Sequence, residues 1–338
     1  VKAYTIGSQQ GIASLTAVTK DVPQPGPGQV LVKVQAAALN HRDILIVSSK
    51  YGAPRPESRV PVSDGVGEIA VLGEGVSGFE AGERVIAPHF VAWTDGPFSP
   101  AYFGHDIGVT HDGWLAEYVL IPAHALVKVP DSLTNRQVAA LSGAALTAWN
   151  AIVEVGKVKA GDSVLALGTG GVSIMALQIA RMCGARVAIT SSSDEKLEQA
   201  RALGADVTVN YRNDPEWEKT VFAALGNGAD IVIETGGLAT LRQSIAAAAP
   251  LGRIAIIGAL AGTVSDPLPN FGTIIGKNLA IHGIAAGGRA MLQRLVNAIA
   301  ANGMEPVVNK VFGFDEARDA YAYVHSGDHF GKVMIQIA

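Results

Sequence analysis

The chain has 338 residues, enough for two domains at about 150 residues each. Hydrophobic residues make up 49% and charged residues 17%, with a mean hydropathy of +0.28, which excludes an intrinsically disordered chain. A net charge of −4 without long charge runs argues against nucleic acid or an anionic membrane as partner, and a single cysteine excludes an intramolecular disulfide framework.

No apolar run reaches the roughly 18 residues of a membrane helix, and no signal peptide opens the chain, so a cytoplasmic location is expected. The first third has strand character. Ala3–Ile6, Val30–Val34, Val66–Leu72, Arg84–Ala87 and Ala116–Leu120 are short apolar or β-branched runs. Breakers separate them: Pro23–Gly28 and Gly73–Gly78. Such spacing predicts a small barrel or sandwich. Residues 89–113, rich in Gly, Pro, His and aromatics without a period, predict a long surface loop.

Near Pro130 the texture changes. Thr134 with Gln137 three residues later forms a capping-box pattern ahead of an Ala-rich helix. From Asp162 to about Gly258, strands at 163–167, 186–190, 207–209, 231–233 and 254–257 alternate with helices at 172–183, 195–203, 215–225 and 238–249. The strands are apolar on both faces, which predicts a parallel sheet covered by helices. Cys183 follows a buried helix and is expected to be inert packing. The terminal run Gly331–Ile337 predicts a strand that returns to the first domain.

Leu165-Ala166-Leu167-Gly168-Thr169-Gly170-Gly171-Val172-Ser173 lies between a predicted strand and a predicted helix, the setting of a dinucleotide-binding turn. Gly168 permits the tight turn and Gly170 lets a pyrophosphate approach the backbone. The helix start offers free N–H groups and a positive dipole end. Ser173 stands where the fingerprint has Gly or Ala. The second strand ends in Thr190-Ser191-Ser192-Ser193 rather than in a carboxylate, with Lys196 one turn into the next helix. Hydroxyls plus a cation suit a 2′-phosphate, so NADP(H) is expected over NAD(H). Asp194, the counter-indication, is expected to serve the helix start.

Blocks spread along the whole chain resemble the medium-chain dehydrogenase/reductase superfamily. They are Pro25-Gly26-Pro27-Gly28-Gln29-Val30, Asn40-His41-Arg42-Asp43, Pro61-Val62-Ser63-Asp64-Gly65-Val66-Gly67-Glu68, Gly82-Glu83-Arg84-Val85, Ala145-Leu146-Thr147-Ala148-Trp149, the glycine loop, Ala202-Leu203-Gly204-Ala205-Asp206 and His329-Phe330-Gly331-Lys332-Val333. The resemblance implies an α/β protein with a GroES-like β-barrel catalytic domain from residues 1–128 and 306–338. A Rossmann doubly wound NADP(H)-binding domain would span 129–305, and a homodimer or homotetramer is implied.

Zinc-dependent members place a Cys, a Gly-His-Glu motif and a later Cys or acid around catalytic zinc. Those places hold Asn40, Ser63-Asp64-Gly65 and Gly143 here, and residues 89–113 lack the four cysteines of a structural-zinc lobe. No metal is therefore expected. His89, His105 and His111 match no ligand spacing and are expected to be surface or loop-packing residues, and His41 a hydrogen-bonding one.

Without a Lewis acid, hydride from NADPH suits quinones and α,β-unsaturated carbonyls, whose negative charge delocalises onto an oxygen that hydrogen bonds can hold. The resemblance to zinc-free quinone oxidoreductases and enone reductases implies the same small-molecule substrates. The Gly-Thr-Gly-Gly-Val-Ser loop, however, is similar to an alcohol dehydrogenase-like branch. An NADP-dependent alcohol dehydrogenase or carbonyl reductase, or a non-catalytic NADPH-binding protein, are the alternatives.

The catalytic candidates are Asn40, Asp43, Tyr51 and Asp64: Asn40 as donor, Asp43 fixing local geometry, Tyr51 as proton donor or stacking aromatic. By position in the family, cofactor contacts fall on Thr147, Gly168, Thr169, Gly170, Gly171, Val172, Ser191, Ser192, Lys196, Tyr211, Gly258, Ala259, Leu260, Gly283, Ile284 and Ala285. Phe271 would close the site. Lys332 would return near the cofactor or stand as a solvated strand-end charge.

Overall fold

The computed structural model describes residues 1–258 and 268–338. Two compact units emerge: Val1–Leu146 with Gly287–Ala338, and Thr147–Ala286.

In the first unit, the long strand Gln29–Leu39 pairs antiparallel with Asp64–Leu72 on one side and with both Tyr118–Pro122 and the terminal strand Lys332–Gln336 on the other. Val333 stands opposite Leu39 and Gln336 opposite Ala36, so the C-terminus does return to the first sheet. Arg84–Ile86, Val127–Lys128 and the parallel strand Val308–Gly313 extend the sheet to seven members. Alternate residues Val30, Val32 and Val34 are buried. Each such side chain contributes about 1.5–3 kcal/mol relative to exposure. Gly65 lets the sheet touch a fully buried aromatic, since a Cβ there would come 2.5 Å from the ring of Trp114.

The second unit carries six parallel strands: β1 (Ser163–Leu167), β2 (Arg186–Ser191), β3 (Val207–Asn210), β4 (Ala229–Glu234), β5 (Ala248–Ile256) and β6 (Ala280–Gly283). Their spatial order is β3-β2-β1-β4-β5-β6. The chain leaves β1 in one direction, then crosses back to β4 and runs the other way. The reversal between β1 and β4 opens a crevice beyond the carboxyl ends of the strands, where open α/β sheets bind ligands. All five residues of β1 are buried, as a strand covered on both faces requires.

Three expectations change. The second unit is shorter than the predicted 129–305 span: residues 129–146 and 287–305 pack with the first unit. Arg136 donates to the carbonyl of Val308 at 2.9 Å. The helix Arg289–Asn302 is anchored by Arg289 N to Trp93 O at 2.8 Å and by Arg289 Nε to Leu126 O at 2.9 Å. The Thr134/Gln137 capping box forms, but the helix after it is broken into short α segments and widened π-type turns from Leu141 to Val155. Residues 89–113 are also more ordered than a surface loop: Phe90 and Trp93 are buried, and Trp93 stacks on Tyr102 at 5.6 Å. Among the described residues, no helix is long and apolar enough to cross a membrane.

Candidate functional site

The expected site residues fall into two groups, one in each unit. In the second unit they collect at the carboxyl ends of the parallel strands. Gly168 follows β1 in a left-handed conformation, φ +75°, and nothing lies within 4 Å of where its Cβ or that of Gly170 would be. The backbone there is bare enough for close approach by a ligand. Gly170 precedes the helix Gly171–Met182 without a side-chain cap, leaving the first amides of Gly171 and Val172 at an open helix start.

The irregular sixth position has a local cause. Ser173 is buried and its hydroxyl donates to Leu167 O at 2.6 Å, and Thr235 donates to the same carbonyl at 2.9 Å. Serine thus ties the helix back to the strand it follows, where the usual Gly or Ala would merely permit the approach.

Ser191 ends β2 and is buried, with its Oγ 3.4 Å from Thr169 Oγ1 and accepting from Ser193 N at 3.3 Å. Ser192 and Lys196 are half-buried beside it. Ser193 caps the helix Asp194–Ala202 by accepting from Lys196 N at 3.3 Å. Asp194 lies in the first turn, as expected, and its Oδ1 accepts from Asn210 Nδ2 at 2.7 Å. Tyr211 follows β3 and is largely exposed, with its N–H donating to Ser191 O at 3.1 Å.

Thr147 is buried, and Gly258 follows β5. Gly283 ends β6, and Ile284 N donates to Ile256 O at 2.9 Å, holding Ile284 and Ala285 beside β5. Ala259 and Leu260 lie outside the described residues. Phe271 begins a short helix and is 73% exposed.

Sequence reading missed Glu234, the last residue of β4. It is fully buried and accepts from Gly236 N at 2.7 Å, Gly237 N at 2.9 Å and Thr240 Oγ1 at 2.7 Å, and from the Ser244 hydroxyl. The carboxylate shapes the turn out of the strand beside the crevice. The only sequence signal was an acid ending an apolar strand before Thr-Gly-Gly.

In the first unit, four separate segments converge. Lys332 is fully buried and donates to Leu39 O at 2.7 Å, Asn40 Oδ1 at 2.6 Å and, more distantly, Asp64 Oδ2 at 3.5 Å. Asn40 Nδ2 approaches Ser63 Oγ at 3.4 Å, and Ser63 donates to Asp64 Oδ1 at 3.2 Å. Gly143 N donates to Asp64 Oδ2 at 3.0 Å. Lys332, grouped with the cofactor by resemblance, therefore stands among the catalytic candidates and is not a solvated strand-end charge. Burial pulls its ammonium below the ordinary lysine range, while Asp64 and Asp43 work to raise it.

Asp43 is buried in the first turn of the helix His41–Val47 and accepts from Asn40 N at 2.7 Å. Tyr51 is half-buried, with the Arg42 guanidinium 5.0 Å and that of Arg55 5.7 Å from its ring centre. Arg42 in turn binds Asp106 at 2.7 and 2.8 Å and lies 2.5 Å from His89 Nδ1, which is 3.0 Å from Asp106. His89 is thus a buried, loop-packing histidine set against the Arg42–Asp106 ion pair rather than a surface one. Burial works to raise the Asp106 carboxyl, but His89 and Arg42 overcome it and hold it below the usual range.

Comparison with known proteins matches this architecture. The Alcohol dehydrogenase GroES-like domain family matches residues 26–131, and the Zinc-binding dehydrogenase family matches residues 171–301. A zinc-type alcohol dehydrogenase-like protein of Schizosaccharomyces pombe is 44% identical over 333 residues, spanning 97% of this chain and 96% of its own length. The chain belongs to the medium-chain dehydrogenase/reductase superfamily, zinc-type alcohol dehydrogenase-like. Its GroES-like domain and six-stranded Rossmann sheet are those of the superfamily. Among solved members of the superfamily, a protein of Sinorhizobium meliloti described as an alcohol dehydrogenase superposes with a TM-score of 0.92 at 37% identity, covering 99% of this chain and 98% of its own. An NAD-dependent alcohol dehydrogenase superposes at 0.89 with 32% identity over 100% of both chains. A mycobacterial protein solved with NADPH superposes at 0.82 with 26% identity over 99% of both.

The superfamily name raises the question of zinc. The three places that hold ligands in zinc-dependent members do converge here, but as Asn40, Asp64 and Gly143, of which Asp64 alone carries a common zinc-ligand side chain. A Cβ at Gly143 would come within 2.8 Å of both Asp64 oxygens and 2.9 Å of Asn40 Nδ2, so a longer side chain there would displace them. Asp64 already takes donors on both oxygens and faces an ammonium. Among the described residues, no three His, Cys, Asp or Glu side chains are grouped to hold a metal ion. These residues do not fit a zinc ion.

Proposed function

We propose that this chain is a zinc-independent, NADP(H)-dependent oxidoreductase that reduces a small quinone or α,β-unsaturated carbonyl. The observation that carries the reading is the Lys332–Asn40–Ser63–Asp64 cluster. It offers hydrogen-bond donors anchored on a buried ammonium in the places where zinc-dependent relatives hold metal ligands. Hydrogen bonds suffice when the electrophile is conjugated, because hydride enters at a carbon remote from the oxygen and the charge spreads before it reaches the donor.

A reduced nicotinamide supplies the hydride. The residues that fit it are Gly168, Thr169, Gly170, Gly171 and Val172 at the pyrophosphate, with Ser191, Ser192 and Lys196 at the adenosine phosphate. The bond from Asn210 supports NADP(H): it occupies Oδ1 of Asp194, an acid that follows the end of β2. In the first unit, the Asn40 amide donates to the substrate oxygen and Tyr51 returns a proton to the enolate. The guanidiniums of Arg42 and Arg55 hold the Tyr51 ring from its faces. Asp43 fixes the start of the helix that follows Asn40, and Asp64 completes the polar cluster.

We also read the chain as a homo-oligomer, at least a dimer, with no nucleic acid or membrane partner. The edge strand β6 and the exposed Phe271 and Ile275, one helical turn apart, support a second copy as the occupant of that edge.

The relatives' names favour a second reading, oxidation of an alcohol or reduction of an isolated carbonyl. One assay separates them: NADPH consumption by chelator-treated protein with a small quinone, a small enone and a saturated aldehyde. Turnover of the conjugated substrates alone is expected. Turnover of the aldehyde alone would favour the second reading, and NADPH binding without any turnover would leave a non-catalytic binding protein.

A further inference from the structure

Asn40, Ser63, Asp64 and Lys332 close into a ring of hydrogen bonds, and only two members of that ring have a fixed polarity. A lysine ammonium can only donate and an ionised carboxylate can only accept. The others follow from these two. Lys332 stands 2.6 Å from one end of the Asn40 amide, so that end is the oxygen; turned round, the amide would set N–H against N–H. Nδ2 then faces Ser63 Oγ, which spends its proton on Asp64 Oδ1 and accepts on its lone pair. The ammonium is fully committed, to Leu39 O, Asn40 Oδ1 and Asp64 Oδ2. The amide is not: its contact to Ser63 is long, 3.4 Å, and Asn40 is half-buried while Ser63, Asp64 and Lys332 are wholly buried. Among the described residues, its second N–H meets no acceptor.

We infer that Lys332 is a positioning residue for the reaction: by fixing the Asn40 oxygen it leaves the second Asn40 N–H as the donor to the substrate oxygen. The inference rests on the carbonyl-reduction reading of the same site. Its role differs from neutralising Asp64, which any buried cation beside that carboxylate would do. With Lys332 removed, the amide rotates and an oxygen spends part of its time where charge develops, a repulsive placement.

The test compares wild type, Lys332→Met and the double variant Lys332→Met/Asp64→Asn in turnover of a small enone, with NADPH affinity measured by nicotinamide fluorescence. Orientation predicts that both variants lose about a hundredfold in kcat, the loss typical of one misplaced oxyanion donor, with NADPH affinity within about twofold of wild type. The double variant no longer buries an unpaired carboxylate and keeps the experiment informative if Lys332→Met folds poorly. Recovery of wild-type kcat in the double variant would overturn the inference, because charge balance alone would then explain Lys332. A second readout does not depend on turnover. In protein labelled with 15N-asparagine, the side-chain amide pair missing from Asn40→Ala identifies Asn40. Its two protons should be shifted in both Lys332 variants. An unchanged pair would overturn the orientation role even if wild type turns over no carbonyl. Absent turnover beside a shifted amide would instead overturn the carbonyl-reduction reading alone.

Discussion

Asp43 carries a carboxylate oxygen, Oδ1, with no hydrogen-bond partner among the described residues, and the buried Tyr321 hydroxyl is in the same condition. Burial pushes the Asp43 carboxyl up to about 7, Arg42 and the backbone N–H of Asn40 pull against it, and Asp64 adds to the rise. An acid raised in this way takes up a proton on folding. Its stabilising contribution is complete below the ordinary value of 3.8 and is lost as pH rises through about 7. Asp43→Asn needs no proton to be buried. Its thermal midpoint should therefore gain on wild type between about pH 5 and about pH 8, and a gap that stays constant or narrows would contradict the raised carboxyl.

Lys196 gives the second test at this scale. Replacing it with alanine should weaken NADPH binding about tenfold or more and leave NADH little changed, since a charge-assisted bond to phosphate is worth about 1.5–3 kcal/mol. Equal losses for both cofactors in calorimetric titrations would remove the phosphate assignment. Asn40, Asp43 and Asp64 were legible in the sequence because they sit in short blocks. Their partner Lys332 is 292 and 268 positions away, and the Arg42–His89–Asp106 cluster spans three segments. No periodicity links residues that far apart.

Elements were legible where one face or both faces are uniformly apolar. Strands β1, β2 and β4 and the helices between them follow their sequence patterns because a covered parallel sheet leaves little choice. Residues 89–113 were not, because their order comes from aromatic packing without repeat, Phe90 against Phe103 and Trp93 against Tyr102. The Ala-rich stretch from Leu141 to Val155 was not either: alanine favours helix but does not choose between α turns and wider ones. Glu234 shows how one side chain holds an element boundary. Glu234→Ala would strand two backbone amides and two hydroxyls in a buried turn. We expect a loss of about 2–3 kcal/mol in denaturant unfolding, with weaker cofactor binding alongside. A loss within about 0.5 kcal/mol would mean that the turn holds itself.

At the scale of the whole molecule, the two-unit plan follows from the texture change near Pro130 and the return of the terminal strand, but the boundaries do not. Residues 287–305 adhere to the first unit through backbone bonds at Trp93 and Thr94 that no side-chain pattern announces. Oligomeric state belongs to this scale. With β6 as the joining edge, Phe271→Glu/Ile275→Glu should convert a dimer to a monomer in light scattering while the unfolding midpoint of the single chain changes little. An unchanged mass would place the contact elsewhere.

The central claim concerns where the hydride goes. Reduction of a small enone with NADPH carrying deuterium at the transferring position, followed by NMR of the product, locates it directly. Deuterium at the β-carbon of a saturated ketone is the predicted result. Deuterium at the carbonyl carbon of an allylic alcohol would contradict the account, because the polar cluster around Lys332 would then be polarising the carbonyl itself.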